Sequence, residues 1–187
     1  MRLIYTTSFG GIMSAYSTKS IEELQNILKE AASKKNSKHE PVDWESRKRW
    51  WLGKIEELYG NIEKWCQPLS IHLDKFDITV QEQFIGNYIT QKLAFNIGNT
   101  AFLFVPIGRN IIGGRGRVDI LYRDSRSKLI LLAKGEFSKN KNTNSSEALN
   151  DPEPEDTEWY FVGSSYRDLN LLTEQSFLAF LSEKAGA

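Results

Sequence analysis

Hydrophobic periodicity switches at Pro68, and that switch decides what most of the chain can fold into. Before it, "WESRKRWWLGKIEELYGNIEKWCQ" places Trp44, Trp51, Ile55, Leu58, Tyr59, Ile62 and Trp65 at i, i+3, i+4 and i+7 spacing, the stripe of one long helix. Asp43 is positioned to cap its start and Pro68 to end it. Gly53 and Gly60 cost such a helix roughly 1 kcal/mol each, which points to close packing there. Two uses of the stripe are open: core packing against a sheet, or a docking face through which helix 43–67 forms an oligomer or hetero-complex.

After Pro68 the period is two. "SIHLDKFDITV", "YITQKLAFNI", "TAFLFVPIG", "RVDILY" and "KLILLA" are short, rich in β-branched and aromatic residues, and separated by turns such as "IGNT" and "RDSRS". In the second run Ile89, Leu93, Phe95 and Ile97 share one face, and Thr90, Lys92, Ala94 and Asn96 the other, so one side is buried and one wetter. "WYFVG" is a last strand. "LTEQSFLAFLSEKAGA" is a terminal helix capped by Thr173, with Leu172 and Phe177 at hydrophobic-staple spacing. The expected class is α+β: N-terminal helices, then an antiparallel β meander or small open barrel, closed by a C-terminal helix.

An earlier helix over about 20–33 follows from the Ser20 and Glu23 capping box and from Leu24, Ile27, Leu28 and Ala31 on one face. Polar "KKNSKHEP" separates it from the rest, giving a 1–42 segment with one helix and a single 43–187 α+β domain. A mobile acidic loop is expected over about 138–157. Met13 precedes "SAYSTKSIEEL" like a natural start, so residues 1–12 are either an extra strand or an upstream extension. No apolar run is long enough to span a membrane, and the N-terminal run is too interrupted for a signal peptide. One cysteine, Cys66, and two histidines exclude an internal disulfide and a Cys/His zinc site, consistent with a cytoplasmic setting.

Lys plus Arg equals Asp plus Glu at 24 each, which removes global basicity as an argument for nucleic acid. The balance hides a dipole. Residues 108–141 hold nine basic and three acidic residues, a net of +6, and residues 147–187 hold two basic and nine acidic, a net of −7. Either the acidic loop folds back on the basic face, or that face binds nucleic acid or an acidic protein while the acidic tail modulates it.

The basic region centres on "IIGGRGRVDI" (111–120). It lacks the spacing of a Walker loop or dinucleotide fingerprint. Its glycines suit a tight corner that projects arginines, and the candidate binding residues are Arg109, Arg115, Arg117 and Lys134. "GRVDILYRDSRSKLILLAKGE" resembles the core of the PD-(D/E)xK nucleases, with Asp119 and Lys134 in place. In that family two carboxylates hold Mg²⁺ and the lysine orients water. Leu132 stands where the second carboxylate belongs, and Glu136 or Glu82 would substitute only through unusual geometry. No catalytic residue, metal ligand or cofactor is therefore assigned. "RKRWWLGKIEELYGNIEKW", "VPIGRNIIGGRGRVDIL" and "LTEQSFLAFL" together resemble small bacterial proteins of the kind found in cyanobacterial genomes, over most of the chain after about Arg47. That resemblance implies a bacterial, intracellular setting and brings no activity or site. The expected function is a non-enzymatic binding module with a basic β-face. The alternatives are a degenerate PD-(D/E)xK-type metal-dependent nuclease and an assembly protein using the aromatic helix.

Overall fold

The structure is a computed structural model that describes residues 21–29, 42–111, 113–135 and 153–186. The chain divides into two units, Met1–Pro41 and Val42–Ala187. In the first, helix α1 spans 21–29 and carries Leu24, Ile27 and Leu28; Ser20 and Ala31 lie outside the described residues. Most of the acidic loop expected over about 138–157 and the question of residues 1–12 also lie outside them.

In the second unit the elements run α2 (Trp44–Cys66), a 3₁₀ turn (Gln67–Leu69), β1 (Asp74–Glu82), β2 (Gly86–Ile97), β3 (Thr100–Gly108), β4 (Gly116–Tyr122), β5 (Ser125–Ala133), β6 (Thr157–Val162), β7 (Leu169–Leu171) and α3 (Glu174–Gly186). The seven strands pair in sequence order, all antiparallel, as an open sheet and not a barrel. Among the described residues no helix is long and apolar enough to cross a membrane.

Helix α2 begins where Asp43 accepts a hydrogen bond from the Ser46 amide at 2.9 Å, and that bond holds the Asp43 carboxyl below its ordinary pKa. Trp51, Ile55, Leu58, Tyr59, Ile62 and Cys66 are each no more than 2% exposed, so the stripe is spent on the chain's own core. Trp44 departs from the stripe and stacks on Phe84 in the β1–β2 turn, with ring centroids 5.2 Å apart. Tyr59 directs its hydroxyl at two main-chain carbonyls, Gln91 (2.9 Å) and Phe104 (3.2 Å), tying the helix to β2 and β3. Phe95, Phe102 and Phe104 stack across the strands, and Phe177 and Leu181 of α3 close the same core. Thr173 caps α3 by accepting from the Ser176 amide at 3.1 Å.

The glycines of α2 do not serve close packing. A Cβ built at Gly53 or Gly60 meets nothing within 4 Å. Gly53→Ala is therefore expected to stabilise the protein by up to about 1 kcal/mol, by restricting the unfolded chain and improving helix propensity, read as a higher urea midpoint.

Strand β2 is long enough to change face. Its pairing with β1 is unbroken from Asp74↔Ala94 to Glu82↔Gly86, yet burial passes from Leu93 and Phe95 to Thr90 and Tyr88, and Ile89 is 66% exposed. The β2–β3 ladder stops at Leu93↔Phe104, and beyond that point the β1–β2 hairpin is restrained on one side only. Strand twist then turns its opposite face toward the core. The twist delivers Val80, Glu82 and Tyr88 to the interior, beside the start of α2.

Burial also sets an alkaline limit on the fold. It pushes the Cys66 thiol up to about 11 and raises Tyr59 and Tyr88 as well, the latter further lifted by Glu82. The native chain keeps protons that the unfolded chain releases from the ordinary thiol value of 9.0 upward. Their stabilisation is complete below that value and is lost as pH rises through it toward the folded pKa. Urea melts at about pH 8 and about pH 10.5 are expected to show a clearly lower midpoint at the higher pH.

Candidate functional site: a buried arginine and carboxylate cluster

Three segments distant in sequence, the start of α2, the β3–β4 connection and the stretch before β6, meet at the end of the sheet. Arg47 lies one turn before Trp51 on the buried face of α2 and is 6% exposed. A register shift between Pro106 and Gly108 ends the regular β3–β4 ladder and turns the Arg109 side chain inward, where it is 3% exposed. Arg115, 9% exposed, follows the small turn bridged by Ile111 and Gly114, and its amide donates to the Leu131 carbonyl at 2.7 Å. Glu153 enters from the segment leading to β6, with its side chain 13% exposed.

Gly116 of "IIGGRGRVDI" and Gly108 before it are there for close approach, whereas Gly113 serves the turn through its positive φ of 82°. At Gly116 a Cβ would lie 2.1 Å from the Trp51 ring. At Gly108, just before Arg109, it would lie 2.6 Å from the Glu82 carboxyl carbon. The corner is built so that an indole and a carboxylate lie close against bare backbone.

Glu153 is the shared anion of the cluster. Its Oε1 accepts from Arg109 Nε at 2.9 Å and lies 3.8 Å from Arg47 Nε. Arg109 Nη2 comes within 2.7 Å of the same oxygen without hydrogen-bond alignment, and Glu153 Oε2 makes no hydrogen bond among the described residues. The Arg47 guanidinium lies over the Trp44 ring, 5.4 Å from its centroid. Burial lowers the pKa of Arg109, Arg47 and Arg115 push the same way, and Glu153 opposes them. Alongside, Glu82 accepts from the Tyr88 hydroxyl and, at 2.7 Å, from the Asn110 amide.

The four residues singled out from the sequence are thus divided. Arg109 and Arg115 join the cluster, and both turn inward where the sequence suggested that a glycine corner projects them. Arg117 points to the other side of β4 and grips Asp119 with two hydrogen bonds, Nε–Oδ1 at 2.6 Å and Nη2–Oδ2 at 2.8 Å, which raise its pKa. Arg126 adds a contact to Asp119 Oδ2 at 3.5 Å. Lys134 is exposed beyond the end of β5, where its amide donates to the Asp156 carbonyl at 3.1 Å. Asp119 pairs with Lys128, and Lys134 lies six residues further along. At about 3.3 Å per residue that is roughly 20 Å, too far for Asp119 and Lys134 to serve one metal ion. Among the described residues no three His, Cys, Asp or Glu side chains gather as metal ligands; Glu136 lies outside them.

Sequence reasoning missed Arg47 and Glu153. The first had a signal, since it sits four residues before Trp51 on the stripe. The second had only its place in an acidic stretch. No protein-family model, curated protein or solved structure matches the chain.

Proposed function

We propose that the protein is a non-enzymatic interaction module that recognises an acidic, extended protein segment through the Arg47, Arg109 and Arg115 cluster. Its own segment before β6 is the built-in competitor. The observation that carries this reading is the seat of Glu153, a carboxylate from the most acidic stretch of the chain held by buried guanidinium groups, Arg109 being 44 residues away. Prolines flank it in "DPEPED", and a residue before proline favours extended backbone. The run continues from Asp156, which accepts from the Lys134 amide, into β6. A partner needs the same chemistry: a carboxylate on an extended chain. Arg109 is too deeply buried to meet the backbone of a nucleic-acid duplex, which favours a protein partner over nucleic acid.

The test is fluorescence polarisation of the Glu153→Gln protein, whose internal carboxylate no longer competes, with a labelled peptide of residues 147–158, "EALNDPEPEDTE". It is expected to bind in a salt-sensitive way, and a peptide with Gln in place of Glu153 is expected to bind at least about tenfold more weakly, the scale of one charge-assisted contact. Equal binding of the two peptides, or none by either, overturns the proposal.

A further inference from the structure

A second site lies away from the cluster, at the opposite end of β5. A cleft of about 740 Å³ opens between the start of β5, the β6–β7 loop and α3. Its size falls within the range of small-molecule sites. Phe161 and Phe180 supply apolar lining, with ring centroids 4.9 Å apart. The rim carries Arg126, Lys128 and Tyr166.

The two cations are weakly committed to the fold. The Arg126 side chain is 56% exposed, and its polar contact among the described residues is Asp119 Oδ2 at 3.5 Å, an oxygen that already accepts from Arg117 at 2.8 Å. Lys128 makes no ion pair among the described residues; its ammonium lies over the Tyr166 ring, 5.7 Å from the centroid. Tyr166 is itself 49% exposed, an open aromatic surface on the cleft wall. An exposed ring beside two weakly committed cations, on a cleft whose lining also includes apolar rings, matches a ligand with a flat ring at one end and a phosphate at the other. Asp168, whose Oδ2 accepts from the Ser164 amide at 3.0 Å, and Glu183, whose Oε1 pairs with Lys184 at 2.6 Å, also line the cleft, and each has a second carboxylate oxygen able to accept from sugar hydroxyls or ring amino groups.

We propose that this cleft binds a nucleoside monophosphate, with the phosphate on Lys128 and Arg126 and the base against Tyr166. The proposal is independent of the acidic-peptide reading, because neither Arg109 nor Glu153 lines the cleft.

Isothermal titration of the full chain with adenosine monophosphate, adenosine and inorganic phosphate tests it. The monophosphate is expected to bind, and the two fragments at least about tenfold more weakly each, because each keeps half of the contacts. Lys128→Ala and Tyr166→Ala, both outside the core, are each expected to weaken monophosphate binding at least about tenfold without changing the melting temperature. Absence of binding at millimolar monophosphate overturns the proposal. So does inorganic phosphate binding as tightly as the nucleotide, or affinity that survives both substitutions.

Discussion

Replacing Glu153 by alanine is expected to cost about 3–5 kcal/mol of stability, the usual result of leaving a buried charge without its partner. The stranded group is Arg109, whose side chain is 3% exposed and whose Nε donates to the lost carboxylate. Arg109→Ala should cost somewhat less, since Glu153, 13% exposed, loses its hydrogen bond but keeps the 3.8 Å contact to Arg47. Combining Arg109→Met with Glu153→Leu should cost far less than the sum of the two alanine changes. Apolar residues of similar volume replace a buried ion pair at little cost, and the desolvation penalty of both charges disappears. Urea unfolding of the wild type, the two alanine variants and the Met/Leu double variant tests this. A loss below about 1 kcal/mol for Glu153→Ala would show a pair screened by water, of the kind found at surfaces.

The second large effect is at Gly116. Its Cα lies under the fully buried Trp51 ring, and alanine there would place a methyl group 2.1 Å from Cζ3. The indole is fixed in turn by Trp159, 6.0 Å away between centroids, so it has little room to retreat. Overpacking of this kind costs typically about 1–3 kcal/mol, and the upper end is expected here. Trp51→Phe, which shrinks the ring, should recover part of the loss in the Gly116→Ala background and only destabilise the wild type. Independent, additive effects in that cycle would contradict the contact.

Much of the fold is legible in the sequence because its signals are local. The change of period at Pro68, the Asp43 and Thr173 caps and the meander each rest on residues a few positions apart, and each is present in the structure. Other features depend on distant partners. Simple alternation assigns Ile89 to the face of Leu93, but the hairpin twists where β3 stops supporting it. Strand β7 has three residues, too few for alternation to register. Arg47 stands within "RKR", where neighbouring charges mask its place on the stripe, and its buried surroundings come from Trp44 and Glu153. The inward turn of Arg109 depends on a carboxylate 44 residues away, information that no window of sequence carries. One of the two readings of the charge dipole has an acidic stretch folding back on the basic region, and Glu153 is one residue that does so.

That contact has two consequences, one for stability and one for recognition, and only the second requires a partner. A tethered occupant competes at an effective concentration on the order of millimolar, so the intact chain should hold outside ligands weakly. The most direct measurement is therefore the affinity of the 147–158 peptide for the wild-type protein and for Glu153→Gln, side by side. Neutralising the internal carboxylate while keeping its shape should vacate the cluster for the peptide and tighten binding at least about tenfold. Equal affinity in the two proteins would mean that Glu153 competes with nothing, and the buried arginines would then be an element of the fold alone.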